Sequence, residues 1–321
     1  MKKTPRRLLL AALLLIFLVS AAMMLRQLRD YRQGASDYSQ AGNLVDLPDF
    51  SGLDLPTASA ASSSASGDPD VPYVDPYADA LRAMDFTALR EVNSDVLGWI
   101  LIPDTVVSYP LLQGSDNDYY LRRTWKKWSS AVGSIFLEAR NSPDLTDFNT
   151  IIYGHNMNNG SMFGTLKKYK SQDYFRKHPY VYLTTDAGSA RCEIFAAYEV
   201  STDGDTYRLG FADDNDRQAF LDACCTLSVI DTGVTPQVYD RIITLSTCTG
   251  RGHATRWVVQ ARLPGTPPET PEDPAPETPP ETREDPAPET PPEDPSTEDP
   301  IDTPEDPAGP ASSAPEGEEG S

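Results

Sequence analysis

The longest apolar stretch of the chain lies near its start, where Leu8 to Leu25 contains one polar residue, Ser20. A helix of this length rises roughly 27 Å, which matches the hydrocarbon core of a bilayer. Basic residues precede it, namely Lys2, Lys3, Arg6 and Arg7. They predict a single-pass membrane anchor with a cytoplasmic N-terminus and an extracellular main domain, so membrane lipid is a partner. A cleaved signal peptide is the alternative, because Val19-Ser20-Ala21 is typical of a cleavage site.

Further along the chain, two amphipathic helices are predicted from apolar positions that recur every three or four residues. The first carries its apolar face on Leu81, Met84, Ala88, Leu89 and Val92. The second can be capped by Asp213 or Asp214, because an aspartate side chain accepts hydrogen bonds from the free N–H groups of the first turn. Its buried stripe is predicted to consist of Phe220, Ala223, Cys224 and Leu227.

Short apolar runs bounded by turn residues predict eight strands. They are Gly98–Ile102, Thr105–Tyr109, Gly133–Leu137, Thr150–Tyr153, Tyr180–Thr184, Ala190–Val200, Arg241–Thr247 and Arg256–Leu263. Eight strands with few long helices favour a closed or nearly closed β structure. The predicted fold class is therefore mainly β, with one core between Tyr77 and Leu263.

Composition divides the chain into four segments: 1–32 with the anchor, a tether at 33–76, the domain at 77–263, and a tail at 264–321. The tether is rich in Ser, Ala, Gly and Asp, which predicts flexibility. The tail holds eighteen acidic residues against one arginine and repeats the decapeptide EDPAPETPPE, so we expect a disordered spacer. The formal net charge of −21, with a domain that is itself acidic, argues against a nucleic-acid partner.

Four cysteines in an exported chain first suggest disulfide bonds, but their positions argue against pairing. Cys224 lies on the apolar stripe of a predicted helix, and its neighbour Cys225 cannot easily bridge to it. Cys192 lies in a strand-like run and is predicted to be buried. Without a Cys-x-x-Cys pair and with only three histidines, the sequence predicts no zinc site. Cys248 therefore remains as the candidate reactive cysteine.

Cys248 follows the predicted strand Arg241–Thr247, and a short loop leads from it to the strand that begins at Arg256. If the two strands pair as a hairpin, Cys248 and Arg256 lie on facing strand ends. A nearby guanidinium would favour the reactive thiolate and could stabilise an oxyanion. The alternative is an ordinary hairpin with a structural cysteine, and spacing alone does not decide between them.

A cysteine nucleophile usually needs a histidine to protonate the leaving group. His155 follows the predicted strand Thr150–Tyr153 and is the strongest of three candidates by position. His253 lies in the loop after Cys248, and His178 precedes a strand.

These residues stand in motifs that resemble the sortases, the cysteine transpeptidases of Gram-positive cell surfaces. The stretch Thr244-Leu245-Ser246-Thr247-Cys248, followed by Arg256, is similar to the family's TLxTC signature and distal arginine. Further motifs resemble class B in the expected order: Gly98-Trp99-Ile100, Tyr109-Pro110-Leu111-Leu112-Gln113, Asp116-Asn117-Asp118-Tyr119-Tyr120-Leu121, Gly133-Ser134-Ile135-Phe136, Tyr153-Gly154-His155-Asn156-Met157 and Met162-Phe163-Gly164. The resemblance runs from about Leu81 to Leu263.

The resemblance implies a closed eight-stranded sortase β-barrel with an N-terminal helical segment and a helix between strands six and seven. It also implies roles for residues: Cys248 as nucleophile, His155 as general acid and base, and Arg256 as stabiliser of the oxyanion or substrate. The backbone N–H of Thr249 is implied as a second oxyanion donor.

The implied reaction cleaves a C-terminal sorting signal after threonine through a cysteine thioester and needs no metal or organic cofactor. Surface proteins that bear such a signal are then the substrates, and the amine of a peptidoglycan precursor or of a pilin is the acceptor. A cysteine peptidase that hydrolyses wall or surface peptides is the alternative enzyme, because water could resolve the same thioester. A third possibility is a surface protein in which these residues are inert.

Overall fold

The structure is a computed structural model that describes residues 4–50, 52–53, 75–249 and 254–267, with side chains from residue 8 onward. Half of the predicted tether, nearly all of the tail and the loop residue His253 lie outside these described residues.

Eight strands form a closed barrel in the order β1-β2-β3-β4-β7-β8-β6-β5, and β5 pairs with β1 to close it. The strands are β1 Val96–Leu101, β2 Ser108–Leu112, β3 Ile135–Leu137, β4 Asn149–Tyr153, β5 Tyr180–Thr185, β6 Gly188–Ser201, β7 Arg241–Cys248 and β8 Thr255–Leu263. The pairs β2–β3 and β4–β7 are parallel, and the others are antiparallel. This barrel confirms the predicted fold class.

Within the described residues, five α-helices accompany the barrel: α1 Thr4–Leu44, α2 Pro76–Leu81, α3 Thr87–Val92, α4 Gln172–Lys177 and α5 Asp214–Leu227. The same part of the chain contains three 3-10 helices in connections, at Tyr119–Arg122, Leu166–Lys170 and Asp205–Tyr207. The single helix predicted after residue 77 is instead the pair α2 and α3. Val92, which was assigned to its buried face, is 51% exposed because it ends α3.

Helix α5 follows β6 and precedes β7 in the chain, as predicted, and it packs on the outside of the barrel. Asp213 caps it by accepting a hydrogen bond from the N–H of Asp216 at 2.9 Å. Its buried residues are Phe220, Leu221 and Cys224, whereas Ala223 and Leu227 are exposed and were wrongly assigned to the buried stripe. A helix buries only the residues along its line of contact with the barrel. The buried face of α5 is therefore smaller than the apolar spacing of its sequence predicted.

Strand β2 begins at Ser108, three residues later than predicted, and continues through Pro110. The side chain of Thr105 accepts a hydrogen bond from the N–H of Val107, so this stretch forms a turn rather than a strand. Pro110 is opposite Trp99 in β1, and pairing with β3 starts only at Leu111. A proline is tolerated where its missing N–H faces no partner strand.

Residues 33–44, predicted as the start of a flexible tether, are instead the last turns of α1 and pack on the barrel. The indole Nε1 of Trp125 donates to the carbonyl of Asp37 at 2.8 Å, and the hydroxyl of Tyr38 donates to the carbonyl of Gly133 at 2.6 Å. Gly34 lies so close to Val132 that an added Cβ would approach its Cγ2 to 2.9 Å. The absence of a side chain at Gly34 lets the helix approach the barrel, which composition alone did not reveal.

The N-terminal half of α1 carries the apolar run of the predicted anchor. Every large apolar side chain from Leu8 to Leu25 is more than half exposed, so the rest of the described chain does not cover this run. Length and composition make it a candidate membrane span, and it is compatible with a single-pass anchor.

Candidate active site

The β7–β8 hairpin places the candidate nucleophile opposite the candidate arginine. In its register Cys248 is the partner of Arg256, at the open end of both strands. Side chains alternate along β7, so Cys248 shares a face with Ser246 and Thr244, while Leu245 points into the main core. The predicted convergence of Cys248 and Arg256 on facing strand ends is therefore present.

His155 reaches the same end of the barrel because β4 runs parallel to β7. The last pair in their register is Tyr153 with Ser246, and the N–H of Gly154 donates to the carbonyl of Ser246 at 3.1 Å. His155 and Cys248 each lie two residues beyond this pair. The amide Nδ2 of Asn156 donates to the carbonyl of Cys248 at 2.8 Å and holds the two strand ends together.

The imidazole of His155 is oriented by the 3-10 helix Tyr119–Arg122. Its Nε2 lies 2.6 Å from the carbonyl oxygen of Leu121. A carbonyl only accepts hydrogen bonds, so Nε2 carries the proton in this contact and Nδ1 is the nitrogen available for proton exchange. Behind the ring lies Gly133, at φ 62°, where an added Cβ would come within 2.7 Å of His155 Cδ2.

A cavity of about 640 Å³ connects the three side chains, because His155, Cys248 and Arg256 all line it. Phe136 of β3 and Tyr153 of β4 also line it. Further lining residues come from the 3-10 helix, from the segments just before and after it, and from helix α1: Asn117, Leu121, Arg122, Ser129, Ser130, Ala131, Arg26 and Asp30. An extended peptide could lie along such a partly apolar groove with its carbonyl near the thiol.

Tyr153 lines this cavity and stacks on Tyr207, and the hydroxyls of both rings contact neighbouring polar side chains. The hydroxyls of Tyr207 and Ser246 are 2.9 Å apart, and burial raises the pKa of Tyr207 to about 12, so it stays protonated at neutral pH. The hydroxyl of Tyr153 donates to Glu138 at 2.9 Å. These contacts fix the rings of Tyr153 and Tyr207, which stack with centroids 6.5 Å apart.

Glu138 is a buried carboxylate behind the lining residues Asn117 and Tyr153, with 2% of its side chain exposed. It accepts hydrogen bonds from Asn117 at 2.7 Å, from Tyr153 and from Arg140 at 2.8 Å. Burial alone raises the pKa of this carboxyl, but the hydrogen bonds from Arg140, Tyr153 and Asn117 outweigh burial and lower it. Glu138 therefore stays ionised and holds Asn117 and Tyr153 in place.

The other cysteines and one other histidine lie apart from this cavity. Burial raises the pKa of Cys192 to about 12 and of Cys224 to about 11, which keeps both as unreactive thiols. Cys225 is exposed as a residue. Partial burial of its thiol raises its pKa, and the negative charge of Asp222 raises it further. The ring of His178 contacts the carbonyl of Pro103 at 3.0 Å through Nδ1. All four cysteines are free, as their positions predicted.

Sequence reasoning missed several residues in the cavity and behind its lining. Tyr207 and Glu138 stand outside the recognised motifs, and their roles depend on contacts between distant segments. Arg26 and Asp30 were assigned to the end of the anchor, although they continue the helical spacing of Gly34, Asp37 and Ala41, which would have placed all five on one face.

The chain is similar in sequence to known proteins. The profile of the Sortase domain family matches residues 100–264. Sortase B of Listeria monocytogenes is 41% identical over 177 residues, which cover 54% of this chain and 72% of the relative.

Two solved structures are also similar to this chain. A Staphylococcus aureus sortase B–substrate complex has a TM-score of 0.54 at 35% identity, covering 57% of this chain and 85% of that one. Sortase B from B. anthracis in complex with AAEK1 has a TM-score of 0.58 at 30% identity, covering 74% and 100%. The family match at residues 100–264 includes His155, Cys248 and Arg256.

Proposed function

The chain belongs to the sortase family, where its similarity is to sortase B, and is thus a cysteine transpeptidase; from this premise we propose that Cys248, His155 and Arg256 carry its reaction. The observation that supports these roles is their convergence. The hairpin register pairs Cys248 with Arg256. Because β4 runs parallel to β7, His155 lies at the same end of the barrel, and all three residues line one cavity.

In the proposed first step, the thiolate of Cys248 attacks the backbone carbonyl carbon of the threonine in a C-terminal sorting signal. The carbon–sulfur bond forms, and the amide carbon–nitrogen bond breaks. His155 gives its proton to the departing nitrogen. Arg256 and the backbone N–H of Thr249 stabilise the oxyanion of the tetrahedral intermediate, because Arg256 stands opposite Cys248 in the hairpin register and Thr249 follows it in the chain.

In the second step, an acceptor amine attacks the thioester and Cys248 leaves as thiolate. The acceptor arrives as an ammonium and loses two protons, one to His155 and one to solvent, so His155 regains the proton it gave up. The product is a new amide between the surface protein and the acceptor. We propose a peptidoglycan precursor or a pilin as the source of this amine.

The substrate is proposed to be a surface protein with a sorting signal, supported by the S. aureus relative that was solved with a substrate. The proposed location is the outer face of the cell membrane. It is supported by the apolar run from Leu8 to Leu25 and by the basic residues before it, which favour a cytoplasmic N-terminus.

Product analysis tests this function. The full chain in detergent is incubated with a pool of peptides that carry candidate sorting signals and with an amine acceptor, and mass spectrometry identifies the products. We expect a ligated peptide and a thioester adduct on Cys248. Cys248→Ala should abolish both, whereas Cys225→Ala, which removes another free thiol outside the cavity, should retain them. Turnover that survives Cys248→Ala would contradict the assigned nucleophile.

The same experiment separates a transpeptidase from a cysteine peptidase. Both use the thiolate of Cys248 and the imidazole of His155, but in a peptidase water resolves the thioester. Hydrolysis that remains the sole outcome across several amine acceptors would favour the peptidase.

A further inference from the structure

Helix α1 contributes one wall of the active-site cavity. Arg26 and Asp30 both line it, one helical turn apart and directly after the apolar run that ends at Leu25. Asp30 is half-buried there. The wall of the cavity therefore includes residues from the predicted membrane anchor.

The docking of the helix fixes which way these two side chains point. Positions 26, 30, 34, 37 and 41 follow one another at three- or four-residue spacing and so share one helix face. Gly34, Asp37 and Ala41 are buried on the barrel, and the Lys126 ammonium pairs with Asp37 at 3.6 Å. The contacts that anchor this face also direct Arg26 and Asp30 toward the cavity.

Charge makes Asp30 unusual among the cavity residues. Arg26, Arg122 and Arg256 supply three cations to the wall, while Asp30 is the only carboxylate among the lining residues that the structure describes. None of the ion pairs found within the described ranges engages Asp30 within 4.0 Å. Among the described lining residues, Asp30 is the one that would attract a cationic ligand, whereas the arginines would repel it.

We propose that Asp30 binds the ammonium group of the acceptor before it attacks the thioester. This inference rests on the proposed function, because that function supplies a cationic amine as the second substrate. The carboxylate raises the local concentration of the amine and orients it in the wall of the cavity that also holds Cys248 and His155. Asp30 exchanges no proton in this role; the proton transfers remain those of His155 and solvent.

The test measures how the thioester partitions between nucleophiles. Full-length protein in vesicles of phosphatidylglycerol and phosphatidylethanolamine is loaded with a threonine-terminated peptide thioester, which acylates Cys248 by thiol exchange and does not depend on sorting-signal recognition. Triglycine, whose amino group is an ammonium at neutral pH, and hydroxylamine, whose amino group is uncharged at neutral pH, then compete with water. The ratio of ligated to hydrolysed product reports the second step separately from acylation.

We expect Asp30→Asn to lower the triglycine-to-water ratio about three- to tenfold, in the range of a partly exposed ion pair. Its hydroxylamine-to-water ratio should stay unchanged, and Asp30→Glu should recover most of the triglycine ratio. Asp46→Asn, which removes an equivalent charge just after the same helix but outside the cavity, should match the unaltered protein.

An unchanged triglycine ratio in Asp30→Asn would overturn the assignment. An equal loss with triglycine and hydroxylamine would also overturn it, because only a general disturbance of the site acts on both. If the unaltered protein ligated neither nucleophile while hydrolysing the thioester, the proposed transpeptidation itself would fail and the role of Asp30 with it.

Discussion

The imidazole Nε2 of His155 lies 2.6 Å from the carbonyl oxygen of Leu121, a contact between the end of β4 and the 3-10 helix Tyr119–Arg122. This hydrogen bond commits Nε2 as a donor and leaves Nδ1 for proton exchange. Residues that fix the ring in this orientation should therefore matter for catalysis even though they touch no substrate.

Gly133 is the first such residue. Its φ of 62° lies in the left-handed region, and an added Cβ would meet both His155 Cδ2 and the carbonyl of Leu121 at 2.7 Å. We expect Gly133→Ala to lower kcat at least tenfold by displacing the ring, while thiol labelling of Cys248 persists. Gly188→Ala, another left-handed glycine whose Cβ would meet no atom within 4 Å, serves as the control. Equal loss in both variants would indicate a folding defect instead.

Arg256 is expected to require its planar guanidinium. It stands opposite Cys248 in the hairpin register and lines the cavity, where a fork of fixed donors can hold an oxyanion. We predict that Arg256→Lys loses most of its activity in kcat/KM, although the positive charge is kept. Near-normal turnover of a peptide substrate by this variant would refute the role. Arg217→Lys, in an exposed pair on α5, should have no effect on kcat/KM.

The hairpin and the barrel could be predicted from the sequence because they depend on local patterns. Alternation along 241–248 and 256–263 specifies both the pairing and the faces, and the register confirms it. Residues such as Tyr207 and Glu138 could not be predicted, because their contacts join segments that no periodicity relates. The docked end of α1 was wrongly assigned to a flexible tether. Its composition is polar and small, and only the matching surface around Val132 makes residues 33–44 ordered.

The Glu138 carboxylate should make stability depend on pH. Its pKa is lowered in the folded protein, so its contribution is fully present above the ordinary glutamate pKa and is lost as pH falls through the folded value. We expect Glu138→Gln to reduce the free energy of unfolding by about 1–3 kcal/mol at pH 7. The difference from the unaltered protein should shrink below about pH 4.

Denaturant unfolding of the full chain in detergent, followed by tryptophan fluorescence at pH 7 and pH 3, measures this difference. Asp173→Asn is the control, since its pair with Arg176 is exposed on both sides and should contribute less than about 1 kcal/mol. A Glu138→Gln difference that stays constant between the two pH values would contradict an ionised, hydrogen-bonded carboxylate.

Gly34 offers a way to separate helix α1 from the barrel without unfolding either. A Cβ at this position would come within 2.9 Å of Val132 Cγ2, whereas a Cβ at Gly42 meets nothing closer than Leu47 at 3.8 Å. Leucine favours helix over glycine at both positions, so α1 itself should persist in either variant. Gly34→Leu is expected to push α1 away from the barrel and to break the hydrogen bonds of Asp37 and Tyr38 to Trp125 and Gly133. Gly42→Leu should leave them intact.

Hydrogen exchange of the full chain in vesicles reads out the docking directly. We expect Gly34→Leu to lose protection at the N–H groups of Val132 and Gly133, and to lower the triglycine-to-water ratio as Asp30→Asn does, because Asp30 leaves the cavity when the helix moves. Docking would prove irrelevant to the site if protection fell while the ratio stayed unchanged. The wall would then consist of the barrel alone, and α1 would serve only to hold the enzyme at the membrane.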